Sequence, residues 1–170
     1  MSCPARESIG AMPLTPYSAK KRENGARYRT VYSQELGSAA APTAGLHFTP
    51  ELLQKIRDKG VKIGFVTLHV GIGTFRPVKA ENIEDHHMHS EHYHLPKETA
   101  DLINQTKANG ESVIAVGTPS CRTRDSVANQ CGELRATNAW TSIFIYHGST
   151  FKRYARLLTT FPLSETTWTL

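Results

Sequence analysis

The stretch GSAAAPTAGLHFT, residues Gly37 to Thr49, carries more information about the fold than any other part of the chain. Its alanines and proline allow backbone to lie against backbone, Gly45 can adopt a positive φ, and His47 is then held on a short loop. Thr49 is suited to be an N-cap, so the stretch leads into a helix predicted over Pro50 to Lys59. These residues fit either a built ligand site or a tight, well-packed turn, and physical arguments alone leave both open.

The chain has 170 residues, of which 39% are apolar, enough to supply the core of one domain. Lysine and arginine number 20 against 15 aspartate and glutamate, and most of the excess lies before Thr30. That excess favours a polyanionic partner, although a solvated linker has the same composition. Three widely spaced cysteines without a CxxC pair indicate neither a disulfide framework nor a thiolate zinc site, so we expect a reducing, cytoplasmic setting. No segment has the pattern of a signal sequence or a membrane span, so no membrane partner is expected.

Beyond the first helix, the hydrophobic periodicity alternates between strand and helix patterns. The predicted strands are 28–32, 61–70, 113–116 and 141–146, and the predicted helices run from Pro96 to Gly110 and from Pro119, just after Thr118, to about Asn129. Alternation of this kind predicts an α/β fold with a largely parallel sheet, in which ligands bind at the carboxyl ends of the strands.

One candidate site follows the strand that ends at His69. Gly71 and Gly73 would expose their N–H groups to an anion or a ribose. Thr74 adds a hydroxyl, and Arg76 could pair with a carboxylate or phosphate. A glycine turn with a surface arginine explains the same residues without a ligand.

A second candidate site lies where the strand at Val116 meets the next helix. The first N–H groups of that helix are unsatisfied near Thr118, and its dipole favours negative charge. Arg122 lies one turn further along, so this junction suits an anionic ligand.

The histidines between His86 and His94 contain the ligand types of a zinc, copper or nickel site. On an extended chain, alternate residues share a face, so no single face carries a full set of ligands. His89 and Glu91 share one face, and such a pair suits acid–base chemistry without a metal. We therefore expect no metal here.

Several ordered strings extend the opening motif through most of the chain. They are FVTLHVGIGTFRPV at 65–78, the residues His86, Met88, His89, Ser90 and Glu91, VIAVGT at 113–118, and WTSIFIYHG at 140–148. Together they resemble the S-adenosylmethionine:tRNA ribosyltransferase-isomerase family of queuosine biosynthesis, from about Met12 to about Leu163. The family's enzymes are longer, so the resemblance implies a fragment truncated at both ends.

The resemblance also implies a domain organisation. Residues 1–29 are expected to form an irregular basic lead-in, 30–163 the main ribosyltransferase-like segment, and 164–170 a divergent tail. The main segment is expected to be a partial α/β barrel-like domain, incomplete relative to the family. The chain departs from the family pattern at 117–126, where it has GTPSCRTRDS and the family pattern resembles GTTSVRTLES. Arg124 therefore places a charge where the family has an apolar packing residue.

The activity that the resemblance implies is transfer and isomerisation of the ribosyl group of S-adenosylmethionine onto 7-aminomethyl-7-deazaguanine in tRNA. The product is epoxyqueuosine, and adenine and methionine leave. S-adenosylmethionine is consumed as a substrate, so no cofactor is expected, and the partners are S-adenosylmethionine and tRNA, with the family acting as a monomer. As a hypothesis, the catalytic residues are His47, His69, His89 and Glu91, and the substrate-binding residues are Thr43, Gly45, Gly71, Gly73, Thr74, Arg76, Thr118 and Arg122. Two alternatives stay open, an inactive remnant that binds RNA and a histidine-rich metal-binding protein.

Overall fold

A computed structural model describes residues 28–75, 88–131, 134–145 and 156–160. Its helices are α1 (Pro50–Asp58), α2 (Lys97–Ala108) and α3 (Thr118–Cys131), with 3-10 turns at Thr43–His47 and Ile72–Phe75. Its strands are β1 (Thr67–His69), β2 (Glu91–Leu95), β3 (Ile114–Val116), β4 (Thr137–Thr141) and β5 (Arg156–Leu158). The predicted lead-in 1–29 and tail 164–170 lie almost wholly outside these ranges, and their boundaries stay predictions.

The described strands form two small sheets. β1, β2 and β4 make a three-stranded sheet in that order, and both of its pairings are antiparallel. β3 instead pairs with β5, and this pairing is parallel. The predicted α/β class is therefore confirmed, whereas the prediction of a largely parallel sheet is wrong. The alternation of helix and strand predicted that successive strands would lie parallel in one sheet. In the structure, β3 belongs to the second sheet, and β2 pairs with β4 in the antiparallel direction. The barrel-like closure stays a prediction.

The helix boundaries follow the predicted caps. α1 begins after Thr49, whose hydroxyl accepts a hydrogen bond from the Leu52 N–H at 3.2 Å. It ends before Gly60, whose φ of 79° lies in the left-handed region that glycine tolerates. α2 likewise begins after Pro96 and ends before Gly110, which has a φ of 72°.

Three strand predictions differ from the structure. The strand expected over 61–70 is present only as β1, and 28–32 forms a turn in which Ser33 N–H donates to the Thr30 carbonyl at 3.0 Å. The strand expected over 141–146 lies earlier, as β4, because the pairing of Thr141 with Glu91 fixes its end in the sheet. Composition marked these regions as extended, but the strand partner sets where each strand stops.

The core lies between α3 and the inner face of the three-stranded sheet. Its buried apolar side chains are those of Leu68, Val70, Tyr93, Leu95, Ala100, Val127 and Leu134. Tyr93 and Leu95 are fully buried, and each contributes roughly 1.5–3 kcal/mol on the usual scale for large apolar side chains. Arg124, the charged residue that replaces an apolar packing residue of the family, is itself buried, with an exposed fraction of 3%. Among the described helices, none has the length and apolarity needed to cross a membrane.

Candidate active site

A buried carboxylate, Glu91, forms the centre of the candidate site. It is the first residue of β2, on the inner face of the sheet, and is 1% exposed. Its Oε1 lies 2.7 Å from His89 Nε2, and its Oε2 accepts a hydrogen bond from Arg122 Nη1. The predicted His89–Glu91 pair is therefore present, and Arg122 extends it to a network of three residues.

The network fixes which nitrogen of His89 faces outward. An ionised carboxylate only accepts hydrogen bonds, so His89 donates through Nε2 and its neutral ring keeps a lone pair on Nδ1. A Cβ built on Gly73 would lie 3.0 Å from that Nδ1. Gly73 therefore packs close to this ring, and a side chain at position 73 would crowd the nitrogen of His89 that can accept a proton.

Arg122 comes from the second turn of α3 and is 9% exposed. Burial lowers the pKa of Arg122, and the charge of Glu91 opposes that shift. The sequence assigned Arg122 to an anionic ligand near the start of this helix, but in the structure its Nη1 is held by Glu91. Its Nε and Nη2 are buried without a hydrogen-bond partner among the described residues. Both of these nitrogens can donate to another acceptor.

A cavity of about 30 Å³ lies beside this network. Its polar lining comes from Thr74, Thr118 and Arg122, and its apolar lining includes Leu68 and Met88. This volume holds a water molecule or a small substituent. The structure therefore brings together three predicted substrate-binding residues from two separate motifs.

The other two predicted histidines lie elsewhere. His69 is on the opposite face of the sheet from Leu68, 3.5 Å from Glu35 Oε2, and its ring stacks on His92 at a centroid distance of 5.7 Å. His47 is exposed at the end of its 3-10 turn. The three histidines are therefore not grouped around the cavity. Sequence reasoning missed Glu35, and no local spacing points to it, since it precedes His69 by a whole helix.

Two of the predicted glycines have a different physical basis from the one expected. Gly45 does not adopt a positive φ. A Cβ at Gly45 would instead lie 2.1 Å from Tyr32 Oη, so glycine is required there by close packing. Burial also raises the pKa of Tyr32. At Gly71 a Cβ would meet no atom within 4 Å, so close packing does not require glycine there.

The second predicted junction is lined by hydroxyls. Thr43 and Thr160 share a hydrogen bond of 2.6 Å at the carboxyl ends of β3 and β5. Gly117, with a φ of 80°, donates its N–H to the Leu158 carbonyl at 2.8 Å, and Thr118 lines the same cleft. Thr160 was missed, because its place beside Thr43 depends on a pairing between distant strands.

Two of the predictions fall on undescribed parts of the chain. Arg76 lies outside the described residues, and so do His86 and His87 of the histidine cluster. Within the ranges that the structure covers, no group of three or more His, Cys, Asp or Glu side chains is placed to hold a metal ion.

Comparisons with known proteins agree on one family. A model of the family described as queuosine biosynthesis protein matches residues 4–170. The S-adenosylmethionine:tRNA ribosyltransferase-isomerase of Clostridium kluyveri is 56% identical over 161 residues, which cover 95% of this chain and 47% of that relative. A relative of the same name from Clostridioides difficile strain 630 has the same identity and coverage. The chain thus spans about half the length of the curated relatives it matches.

A solved structure is similar as well. The crystal structure of S-adenosylmethionine tRNA ribosyltransferase from Thermotoga maritima matches with a TM-score of 0.57 and 36% sequence identity. The match covers 73% of this chain and 38% of that one.

Proposed function

The chain belongs to the queuosine biosynthesis protein family, and from this premise we propose that it acts in tRNA modification as an S-adenosylmethionine:tRNA ribosyltransferase-isomerase. The substrates are S-adenosylmethionine and a tRNA that carries 7-aminomethyl-7-deazaguanine. The products are epoxyqueuosine in tRNA, adenine and methionine. A cytoplasmic setting and the barrel-like closure of the α/β domain belong to the same proposal.

The chemistry requires proton transfers at three points. The sulfonium of S-adenosylmethionine takes the electron pair of its bond to the ribosyl carbon and leaves as the thioether of methionine. A new bond joins the ribosyl group to the aminomethyl nitrogen, which loses a proton, and adenine leaves with a proton on its ring nitrogen. A base must also remove a C–H proton beside the sulfonium, and the electron pair of that bond forms the additional ring bond of the isomerised epoxide product, so the overall reaction releases one proton.

The observation that carries the proposal is the bridge of Glu91 between His89 and Arg122. With Nε2 of His89 held by the carboxylate, Nδ1 is the nitrogen that accepts a proton. Glu91 then stabilises the imidazolium that forms, as a buried carboxylate does for a general base in other enzymes. Arg122 holds the second carboxylate oxygen, so Glu91 keeps its orientation toward His89.

The remaining candidates surround this centre with polar groups. Thr74 and Thr118 are assigned to ribose hydroxyls, because both line the cavity beside Arg122. Nε and Nη2 of Arg122 are assigned to an anionic group such as the methionine carboxylate. The backbone N–H groups of Gly71 and Gly73 are assigned to an anionic group or to the ribose of the substrate. Roles for His47, His69, Thr43, Gly45 and Arg76 stay hypotheses.

Adenine release tests the proposal. The protein is incubated with S-adenosylmethionine and precursor tRNA, and adenine is measured by chromatography. We expect release only when tRNA is present, and His89→Ala should lower turnover about 100-fold, the scale of a lost general base. Gln105→Ala, at an exposed position on α2, is the matched control and should keep full turnover. Unchanged turnover in His89→Ala, or release without tRNA, would contradict the proposal.

A further inference from the structure

The outer face of the three-stranded sheet has a composition that the proposed reaction does not use. Because side chains alternate along each strand, the residues opposite the core share this face. The residues of the outer face are Thr67 and His69 of β1, His92 and His94 of β2, and Asn138 and Trp140 of β4. None of them is aliphatic and none is acidic, so this face differs from one that packs against an apolar layer.

Three rings form a row across this face. The strand register places His69 opposite His92, and His92 opposite Trp140. The His69 and His92 rings are stacked with an interplanar angle of 22°, and the His92 and Trp140 rings meet edge to face with centroids 5.3 Å apart. Trp140 is 63% exposed although it is the largest side chain of the row. An exposed indole backed by imidazoles is a surface suited to stacking.

The second row supplies hydrogen-bonding groups. Thr67, His94 and Asn138 lie opposite one another in the register, one step along the strands from the ring row. A hydroxyl, an imidazole and an amide offer both donors and acceptors to the edge of a planar ligand. Among the residues that the structure describes, Glu35 places its carboxylate at the rim of this face, 3.5 Å from His69 Nε2.

We propose that this outer face binds an unpaired base of the substrate RNA, with the exposed indole of Trp140 as the stacking surface and His92 supporting that indole edge to face. The inference rests on the proposed function for the presence of RNA. Single-stranded RNA is recognised by stacking bases on aromatic and histidine side chains while neighbouring polar groups contact base edges and phosphates. The exposed indole of Trp140 matches the base face, and the polar row matches the base edge.

A short stretch of chain joins the outer face to the candidate site, although Glu91 lies on the other face of the sheet. β1 ends at His69, and the chain then passes through Gly71 to Gly73, which lies against the His89 ring. Only a few residues of chain therefore separate His69 of the ring row from the glycine that packs against His89. Trp140 and His92 would position the RNA and take no part in the chemistry.

The test uses a fluorescein-labelled anticodon stem-loop RNA with an unpaired loop, and the full chain carrying Trp168→Phe, which leaves Trp140 as its single tryptophan. We expect the RNA to quench Trp140 fluorescence. Trp140→Ala should weaken binding about 10-fold in anisotropy titrations, the scale of losing one base–aromatic stack, while Trp140→Phe should stay within about 3-fold. Val61→Ala, an exposed apolar residue outside this face, is the control and should leave affinity unchanged.

A thermal melting curve of Trp140→Ala distinguishes loss of RNA binding from loss of folding. Because the Trp140 side chain is exposed, its truncation should leave the thermal unfolding midpoint unchanged. A fully duplex RNA of equal length should bind without dependence on Trp140. Equal affinity of Trp140→Ala and the unsubstituted chain for the stem-loop would overturn the inference. So would a Trp140-dependent dimer formed without RNA, which would assign the face to a second copy of the chain.

The adenine assay distinguishes this failure from failure of the proposed function. Unchanged RNA affinity in Trp140→Ala together with tRNA-dependent adenine release would remove the inference and leave the proposed function intact. A chain that neither binds the RNA nor releases adenine would overturn both.

Discussion

The inner face of the antiparallel sheet and the junction at the ends of the parallel pair are both candidate sites, and they are built from different chemistry. On the inner face a buried carboxylate joins a histidine and a guanidinium. At the junction, two threonine hydroxyls and a glycine N–H make the polar contacts. The first region can move a proton, whereas the second can only bind.

This difference shows how one helix serves two sites. α3 begins at the junction, where Thr118 lines the cleft, and one turn later Arg122 reaches the inner face. The rule that ligands bind at the carboxyl ends of parallel strands pointed to the junction. The ionic network instead joins Arg122 of α3 to Glu91 on the antiparallel sheet. The rule therefore pointed to α3, which contributes to both sites. It did not point to the His89–Glu91 pair, which can take part in acid–base chemistry.

The largest expected effect comes from removing the centre of the network. Glu91→Ala leaves the buried guanidinium of Arg122 without its carboxylate, and loss of one partner of a buried ion pair costs about 3–5 kcal/mol. Urea unfolding followed by circular dichroism measures the loss. Asp101→Ala is the matched control, because it breaks the exposed Lys97–Asp101 pair and should cost less than about 1 kcal/mol.

A double variant sharpens this test. Glu91→Leu with Arg122→Met replaces both charges by apolar groups, and we expect it to recover most of the stability that Glu91→Ala loses. If Glu91→Ala costs no more than Asp101→Ala, the inner face is not held by buried charge, and the contrast between the two regions disappears.

An intermediate effect is expected from the glycine beside His89. Gly73→Ala places a Cβ 3.0 Å from the imidazole, so the ring must shift and strain its hydrogen bond to Glu91. We expect a loss of about 1 kcal/mol, typical of mild overpacking and a weakened hydrogen bond. Gly71→Ala is the comparison, because no atom lies within 4 Å of its added Cβ, and its unfolding free energy should fall less. Equal losses in the two variants would show that the His89 ring accommodates the methyl group.

The sequence predicted what short-range chemistry determines. The Thr49 cap, the glycines that end α1 and α2, and the His89–Glu91 pair are all set by residues within a turn or two of one another. Alternation on an extended chain brings residues two apart to one face, so the histidine and carboxylate could be paired before any fold was known.

The rest depends on contacts between distant parts of the chain. Arg122 meets Glu91 across 31 residues, and Glu35 meets His69 across the whole of α1. Neither pairing has a local pattern. The direction of the sheet was mispredicted for the same reason, because the departure of β3 to pair with β5 is decided by a strand near the end of the described chain.

The smallest expected effect concerns the junction, where Thr43 and Thr160 share one hydrogen bond of 2.6 Å. A double-mutant cycle with Thr43→Val, Thr160→Val and the pair together isolates their coupling, since both substitutions keep the side-chain shape. A partly buried bond between neutral hydroxyls should contribute about 0.5 kcal/mol, several-fold less than the buried ion pair. Urea unfolding of the four proteins supplies the values. Coupling as large as that between Glu91 and Arg122 would break the comparison, because the junction would then hold the 3-10 turn against the residues after β5 as firmly as the charged network holds α3 against the inner face.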